Sequence, residues 1–460
     1  MRNAPTSRPV SVLAALFAGV VTIIAADSPI SKLPSSDWLN KPISLADALD
    51  LALQRNSAIL KSRADLEVAH GIAVQTRAIV NPKLRTTGSY QWTEPSAIDT
   101  ISAPGISIPQ NEHNWSVNIR LVQSIYEGGR IESALRASKL TREQALDQHR
   151  AIINDTLTDV RVAYADILLA AQQIIVQEAS VKLLQRELED NQRRYDAGTV
   201  PRFNVLRAEV EVANARPRLI RARNAHRIAK NNLANLLGYD LPKEVLEDVP
   251  LQLAGKLEEE PASIELPVAV GRALEHRPEL AVLRKSESLR REDIVNAKGG
   301  KLPSFQTFVG YGWRNSVFST DLTRDVAGWN AGAQLTWDWF DGGLTRGKLR
   351  EAEARHDRAH EDIADAERRV ELEVRTTYSN FIEAKEVLES QKKVQEQAEE
   401  ALRLAVARSD AGTGTQLDVL NAQTALTEAR TTQIQALRDY AVAWARLERA
   451  IGNNLGSQTK

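Results

Sequence analysis

The chain of 460 residues has no cysteine and a single methionine. Without cysteine there are no disulfides, thiolate metal sites, cysteine nucleophiles or lipid-modified amino-terminal cysteine. An excess of charge of one sign is also missing: 59 Lys and Arg stand against 60 Asp and Glu, leaving a formal net charge of −1. Nucleic acid needs a basic face, so no nucleic-acid partner is expected. Long apolar runs are absent after residue 26. Any later membrane contact must therefore come from strands that close on themselves, because lipid cannot satisfy open backbone groups. There is no phosphate-binding loop with its lysine and no Gly-x-Ser-x-Gly elbow. Gly412-Thr413-Gly414 has no strand before it, so nucleotide binding is not expected. The reading is of a protein that is not an enzyme and has no cofactor. Aromatic residues are few, at 5%, yet the 8 Trp outnumber the 7 Phe.

The amino terminus carries Arg2 and Arg8, an apolar run from Val10 to Ala25, and then Ala26-Asp27. A basic region, an apolar region too short to span and a small-residue cleavage point predict a signal peptide over residues 1–26. Residues 27–43 are an N-terminal extension.

Length alone suggests about three domains, but the chain instead contains one unit twice. Arg194–Arg216 reads RYDAGTVPRFNVLRAEVEVANAR and Arg408–Arg430 reads RSDAGTGTQLDVLNAQTALTEAR, an offset of 214. The same offset pairs Gly128-Gly129 with Gly342-Gly343, Trp115 with Trp329, and Gly238 with Gly452. Upstream, Tyr90 and Trp92 pair with Tyr311 and Trp313 at an offset of 221. The difference of 7 falls between Trp92 and Trp115 and between Trp313 and Trp329, which are therefore loops of different length. The first repeat covers 44–242, a linker with Pro242, Pro250, Pro261 and Glu258-Glu259-Glu260 covers 243–264, the second repeat covers 265–456, and a tail covers 457–460.

Each repeat predicts a helix, two strands and two further helices. Alternation places the strands at about 84–93 and 115–125, then at about 305–313 and 329–339. Leu84, Thr86, Gly88, Tyr90 and Trp92 share one face, as do Trp115, Val117, Ile119 and Leu121. Phe305, Thr307, Val309, Tyr311 and Trp313 do the same, and so do Trp329, Ala331, Ala333, Leu335, Trp337 and Trp339. Period-2 patterning over about ten residues fits a transmembrane strand with one face to lipid and one to a wet lumen. A soluble hairpin with aromatic cross-strand pairs is the alternative. Six of the eight tryptophans, Trp92, Trp115, Trp313, Trp329, Trp337 and Trp339, mark the ends of these segments. Interfacial girdles need that placement.

After each Gly-Gly pair a helical pattern runs unbroken, over 129–197 and 343–411, followed by shorter helices over 201–238 and 415–452. Leu146, Ile153, Leu157, Val160, Tyr164 and Ile167 step by coiled-coil spacings, as do Ile363, Val370, Val374, Tyr378 and Phe381. Pro217 predicts a kink. Four strands cannot close a barrel alone, so oligomerisation is required: two chains give a side-chain-filled barrel, three a real lumen. Long helices that must bury their seams favour three.

With these features the chain resembles the TolC family of trimeric outer-membrane efflux and secretion ducts. The resemblance rests on the tips Tyr195-Asp196-Ala197-Gly198-Thr199 and Asp410-Ala411-Gly412-Thr413 with Leu417-Asp418-Val419-Leu420, and on the joints Tyr126-Glu127-Gly128-Gly129 and Phe340-Asp341-Gly342-Gly343. It implies a mainly α fold in which four strands per chain form a 12-stranded trimeric β-barrel in the Gram-negative outer membrane. A long α-helical coiled-coil barrel continues it across the periplasm. It also implies a passive exit duct of a tripartite efflux or type I secretion system, working with a periplasmic adaptor and an inner-membrane transporter of the RND or ABC type. A periplasmic coiled-coil scaffold or adaptor without a pore is the alternative reading.

By the same resemblance, Asp418 falls where an inward carboxylate ring narrows the periplasmic mouth. Asn421 and Asn204 fall where further acidic residues can occur, and Gly414 where a basic latch residue can occur, so a charged latch looks largely missing. Gly198, Thr199, Gly412 and Thr413 are the expected adaptor-docking tips. Asp418 also fits a helix-capping frame, Thr415-Gln416-Leu417-Asp418. His356 and His360 stand one turn apart, but no third ligand is evident, so no metal site is expected.

Overall fold

The structure, a computed structural model, describes residues 42–94, 102–103, 106–107, 112–239, 248–257, 263–316 and 322–452. The signal peptide, most of the N-terminal extension, Pro242, Glu258 to Pro261 and the tail 457–460 lie outside the described residues.

The first repeat runs α1 (Leu45–Arg55), α2 (Ser57–Arg77), β1 (Lys83–Trp92), a short hairpin of β2 (Ser102–Ala103) and β3 (Ile106–Ser107), β4 (His113–Glu127), α3 (Arg130–Asp196) and α4 (Arg202–Leu236). The second runs α5 (Leu266–His276), α6 (Pro278–Lys298), β5 (Ser304–Asn315), β6 (Asp325–Thr336), α7 (Leu344–Asp410) and α8 (Gln416–Ile451). The sequence predicts one helix ahead of the strands in each repeat, and the structure has two. In the first repeat Asn56 restarts the helix by accepting the N–H groups of Ala58 and Ile59 on its Oδ1. In the second, Pro278 lacks the N–H that would continue α5 and opens α6 instead.

α3 and α7 each have 67 residues, about 100 Å at 1.5 Å per residue. α4 stays helical through Pro217. By length and composition alone, α3 includes one stretch apolar enough to cross a membrane, which a search for uninterrupted apolar runs misses. Its Tyr164 and Ile167 are buried in a core with Val160, Leu233, Leu237, Ala48 and Ala52. The linker joins this core: Ile43 bridges Leu253, and Leu251 is buried. The second repeat builds the corresponding core from Val374, Phe381 and Leu388 of α7, Tyr440 and Leu447 of α8, and Ala269 and Ala273 of α5. The helical layer is ordered α4–α3–α8–α7, and α3 forms the seam between repeats by packing on both α8 and α6.

The four long strands form one antiparallel sheet in the order β1-β4-β5-β6. The register places Leu84 opposite Leu121, Leu121 opposite Val309 and Val309 opposite Ala331. Likewise Tyr90 faces Trp115, Val117 faces Trp313 and Tyr311 faces Trp329. Most apolar positions of the four strands thus share one face, with Val122, Phe308 and Val326 on the other, and a slip of one residue in any pair would destroy that pattern. The strand expected over 329–339 is β6, Asp325–Thr336, so Trp337 and Trp339 lie past its end and Trp329 within it. The reason is its partner: β5 begins at Ser304, after Pro303, and nothing pairs with β6 beyond Thr336.

Candidate functional site: an aromatic band, two joints and two tips

The aromatic residues occupy two levels of the sheet. At the loop end stand Trp92, Trp115, Trp313 and Trp329, with Tyr311 edge-on to Trp313 at 4.6 Å and to Trp329 at 5.2 Å. Trp115 Nε1 donates to the Leu322 carbonyl at 3.1 Å. At the helix end Trp337 and Trp339 lie 4.6 Å apart beside Phe340, and Trp337 Nε1 donates to the Lys301 carbonyl at 3.1 Å. Trp329 in the sheet and Trp339 just past its end are 78% and 84% exposed, large apolar groups that the single chain leaves uncovered. From Trp329 to Trp337 is about 26 Å at roughly 3.3 Å per residue, close to the ~25 Å apolar band of outer-membrane strands.

Glycine pairs turn the strands into the helices. Gly128 and Gly129 have φ of +63° and +81°, and Gly342 and Gly343 have +66° and +96°. A Cβ on Gly128 would also come within 2.6 Å of the Gly299 carbonyl. In the second joint Asp341 accepts the N–H of Gly343 at 2.9 Å and of Thr345 at 2.7 Å. Its hydrogen bonds to Thr345, side chain first and then backbone, hold the carboxyl down at about 2.

The far ends of the long helices turn back through two nearly identical tips. Gly198 and Gly412 sit at φ +72° and +71°. The Thr199 hydroxyl donates to the Arg194 carbonyl at 2.8 Å, and that of Thr413 donates to the Arg408 carbonyl at 3.2 Å. Gly414 fits closely against the helix it leaves, since a Cβ there would meet Ser409 and Arg408 at about 3 Å.

The tips differ in their caps. Asp418 N–H donates to Thr415 Oγ1 at 3.3 Å, while Asp418 Oδ2 accepts the Thr415 N–H at 3.0 Å and its hydroxyl at 2.8 Å. This reciprocal box, with the Thr415 hydroxyl as the main cause and Arg408 assisting, holds the exposed Asp418 carboxyl below the ordinary range. Asn204 has the same position in α4, but Pro201 stands where Thr415 would be, and no side chain caps that helix. Asn421 is exposed one turn beyond Asp418. Among the described residues no side-chain hydrogen bond links Asn204 or Asn421 to Asp418.

Sequence reasoning misses a charge cluster at mid-height. Arg449 of α8 reaches Asp155 of α3 at 2.8 Å, Glu373 of α7 at 2.5 Å and Glu279 of α6 at 3.3 Å. Arg277, only 4% exposed, donates to Glu373 at 2.7 Å. These partners lie far apart in the chain, and no motif announces them. His356 is drawn to another helix: its Nε2 is 2.7 Å from Glu287 of α6, whose carboxylate Arg291 also holds, while His360 is exposed.

A sheet with one apolar face, joined through glycine turns to helices of about 100 Å, defines a TolC-like outer-membrane channel. Residues 48–239 and 269–453 match the family described as outer membrane efflux protein, and the chain belongs to that family. It is 24% identical to the outer membrane protein TolC of Vibrio cholerae, over 92% of this chain and 93% of that one. It is also 24% identical to the alkaline protease secretion protein AprF of Pseudomonas aeruginosa, over 88% and 83%. Among solved structures, the outer-membrane channel OprN superposes with a TM-score of 0.75 at 19% identity, over 89% of this chain and 90% of that one.

Proposed function

We propose that three copies of this outer-membrane duct protein close into one passive exit duct. The observation that carries this reading is that sheet and helical layer are open at both ends in the same order. The sheet ends in unpaired β1 and β6. The helical layer ends in α4, which exposes Phe203, Leu206, Val210, Ile220 and Ile228, and in α7, which exposes Leu372, Val387 and Val394. Open edges are not tolerated in lipid, and apolar stripes on helices need partners. Pairing β6 of one copy with β1 of the next sets α7 of the first against α4 of the second. Three times four strands gives the twelve that leave a wet lumen.

In that assembly the two tryptophan levels, Trp92, Trp115, Trp313 and Trp329 above and Trp337 and Trp339 below, anchor the outer-membrane surfaces. The tips at Gly198, Thr199, Gly412 and Thr413 form the periplasmic mouth and dock a periplasmic adaptor, which couples the duct to an inner-membrane transporter. The repeats contribute domains as the sequence divides them, 44–242 and 265–456 around the linker. The duct does no catalysis. Three Asp418 carboxylates narrow the mouth, with Asn421 and Asn204 beside them, and favour cations there. A pore-free scaffold leaves the apolar sheet face and its tryptophans without a role.

Recordings in planar bilayers test this. The wild-type protein is expected to give discrete conductance steps that favour cations and are blocked by polyvalent cations from the tip side. Asp418→Ala should remove the block. Steps with selectivity and block unchanged by Asp418→Ala would refute the ring, and absence of any conductance would refute the duct.

A further inference from the structure

The sheet face opposite the tryptophans is cationic along its length, with one carboxylate, Glu127 opposite Ser304, at its helix end. Its residues include Lys83 and Arg85 of β1, Arg120 of β4 and Arg314 of β5. The acidic residues of the four long strands are Glu127 at the end of β4 and Asp325 at the start of β6, both several residue pairs away from Arg85 and Arg120. Arg85 stands directly opposite Arg120 in the register. Like charges facing each other across strands are destabilising unless something negative lies between or beside them. Among the described residues, neither guanidinium has a carboxylate partner.

The surroundings of the pair are built rather than merely exposed. The row continues from Arg85 and Arg120 to Gly310 and Asn330. A Cβ on Gly310 would come within 2.8 Å of the Ile119 carbonyl and 2.7 Å of Asn330 Oδ1, and one on Gly312 within 2.4 Å of Asn118 Oδ1. Glycines thus make room for the Asn118 and Asn330 side chains against the sheet. Arg120 is steadied by Phe308, whose ring centroid lies 4.7 Å from its Cζ. Phe308 in turn lies over Gly332, where a Cβ would meet it at 2.8 Å.

We propose that Arg85 and Arg120 form an anion-binding ring in the barrel lumen, which takes solutes bearing phosphate, sulfate or several carboxylates as they leave. The inference rests on the duct reading, because three copies bring six guanidinium groups around one lumen. Guanidinium pairs suit such oxyanions through charge-assisted, forked hydrogen bonds. The ring complements the mouth: cations are favoured at the Asp418 end and anions within the membrane section.

The test is titration calorimetry of the full-length protein in detergent with sodium triphosphate at low salt, with oligomeric state read in parallel. The wild type should bind, R85Q/R120Q should bind about tenfold more weakly or worse, and R85K/R120K should keep most of the affinity. Trimer content of R85Q/R120Q should not fall, since the change removes like-charge repulsion. No triphosphate binding by wild-type trimers, or equal binding by R85Q/R120Q trimers, overturns the ring. A chain that is a monomer yet binds triphosphate through these arginines keeps the site and overturns the duct reading instead.

Discussion

Asp341 and Glu127 hold the same place in the two joints, yet only Asp341 reaches the amides of the helix that follows. Because its folded carboxyl is drawn down to about 2 from the ordinary 3.8, its contribution is fully present above about pH 4 and is lost as pH falls through 2. Asp341→Ala is therefore expected to lower the thermal midpoint at neutral pH, with the difference from wild type vanishing near pH 2. Melting curves across that range check it; a difference that persists undiminished at the acid end contradicts the assignment. Single residues vary in how visible they are before folding. The Thr415-to-Asp418 box is local, three residues apart, and its frame shows in the sequence. The Arg449 cluster joins four helices, and its partners are set only once α3, α6, α7 and α8 pack.

Helices were the most legible elements, because their ends are chemical. Glycines at positive φ close α3, α4, α7 and α8 at Gly198, Gly238, Gly412 and Gly452, and such residues stop a helix wherever it packs. Strand ends are less legible, since a strand stops where its neighbour does; that is why β6 ends before Trp337 rather than after Trp339. The break at Asn56 was hidden for another reason: the apolar period carries across it, and only the cap reveals it. At this scale the sharpest expectation concerns the free face of α4. Val210 and Ile220 are 56% and 65% exposed in the single chain, so Val210→Asp with Ile220→Asp should leave the chain folded. In the assembly each covered side chain contributes about 1.5–3 kcal/mol, so the pair should weaken each interface about a hundredfold or more. Sedimentation in detergent reads this directly. Trimers that survive the double change would show that α4 does not form the seam between copies.

At the scale of the molecule, duplication explains most of the architecture. Two similar cores stand side by side, one per repeat, and the sheet takes two long strands from each. Neither repeat closes anything alone, and neither does the chain. The near balance of charge, 59 against 60, is compatible with local separation, such as the arginines gathered on one face of the sheet. The tryptophan excess marks the two levels of the apolar sheet face. The duplicated architecture is legible from the offset of 214, and the family from the resemblance of the tip and joint motifs. The charge ring is not, because it depends on a register that sets Arg85 against Arg120. The central claim is that this chain works as a closed ring of copies in the outer membrane. Native mass measurement of the protein extracted from outer membranes tests it most directly. A mass of three chains, with no free monomer at working concentration, is the result expected; a single chain recovered from the soluble periplasmic fraction would contradict it.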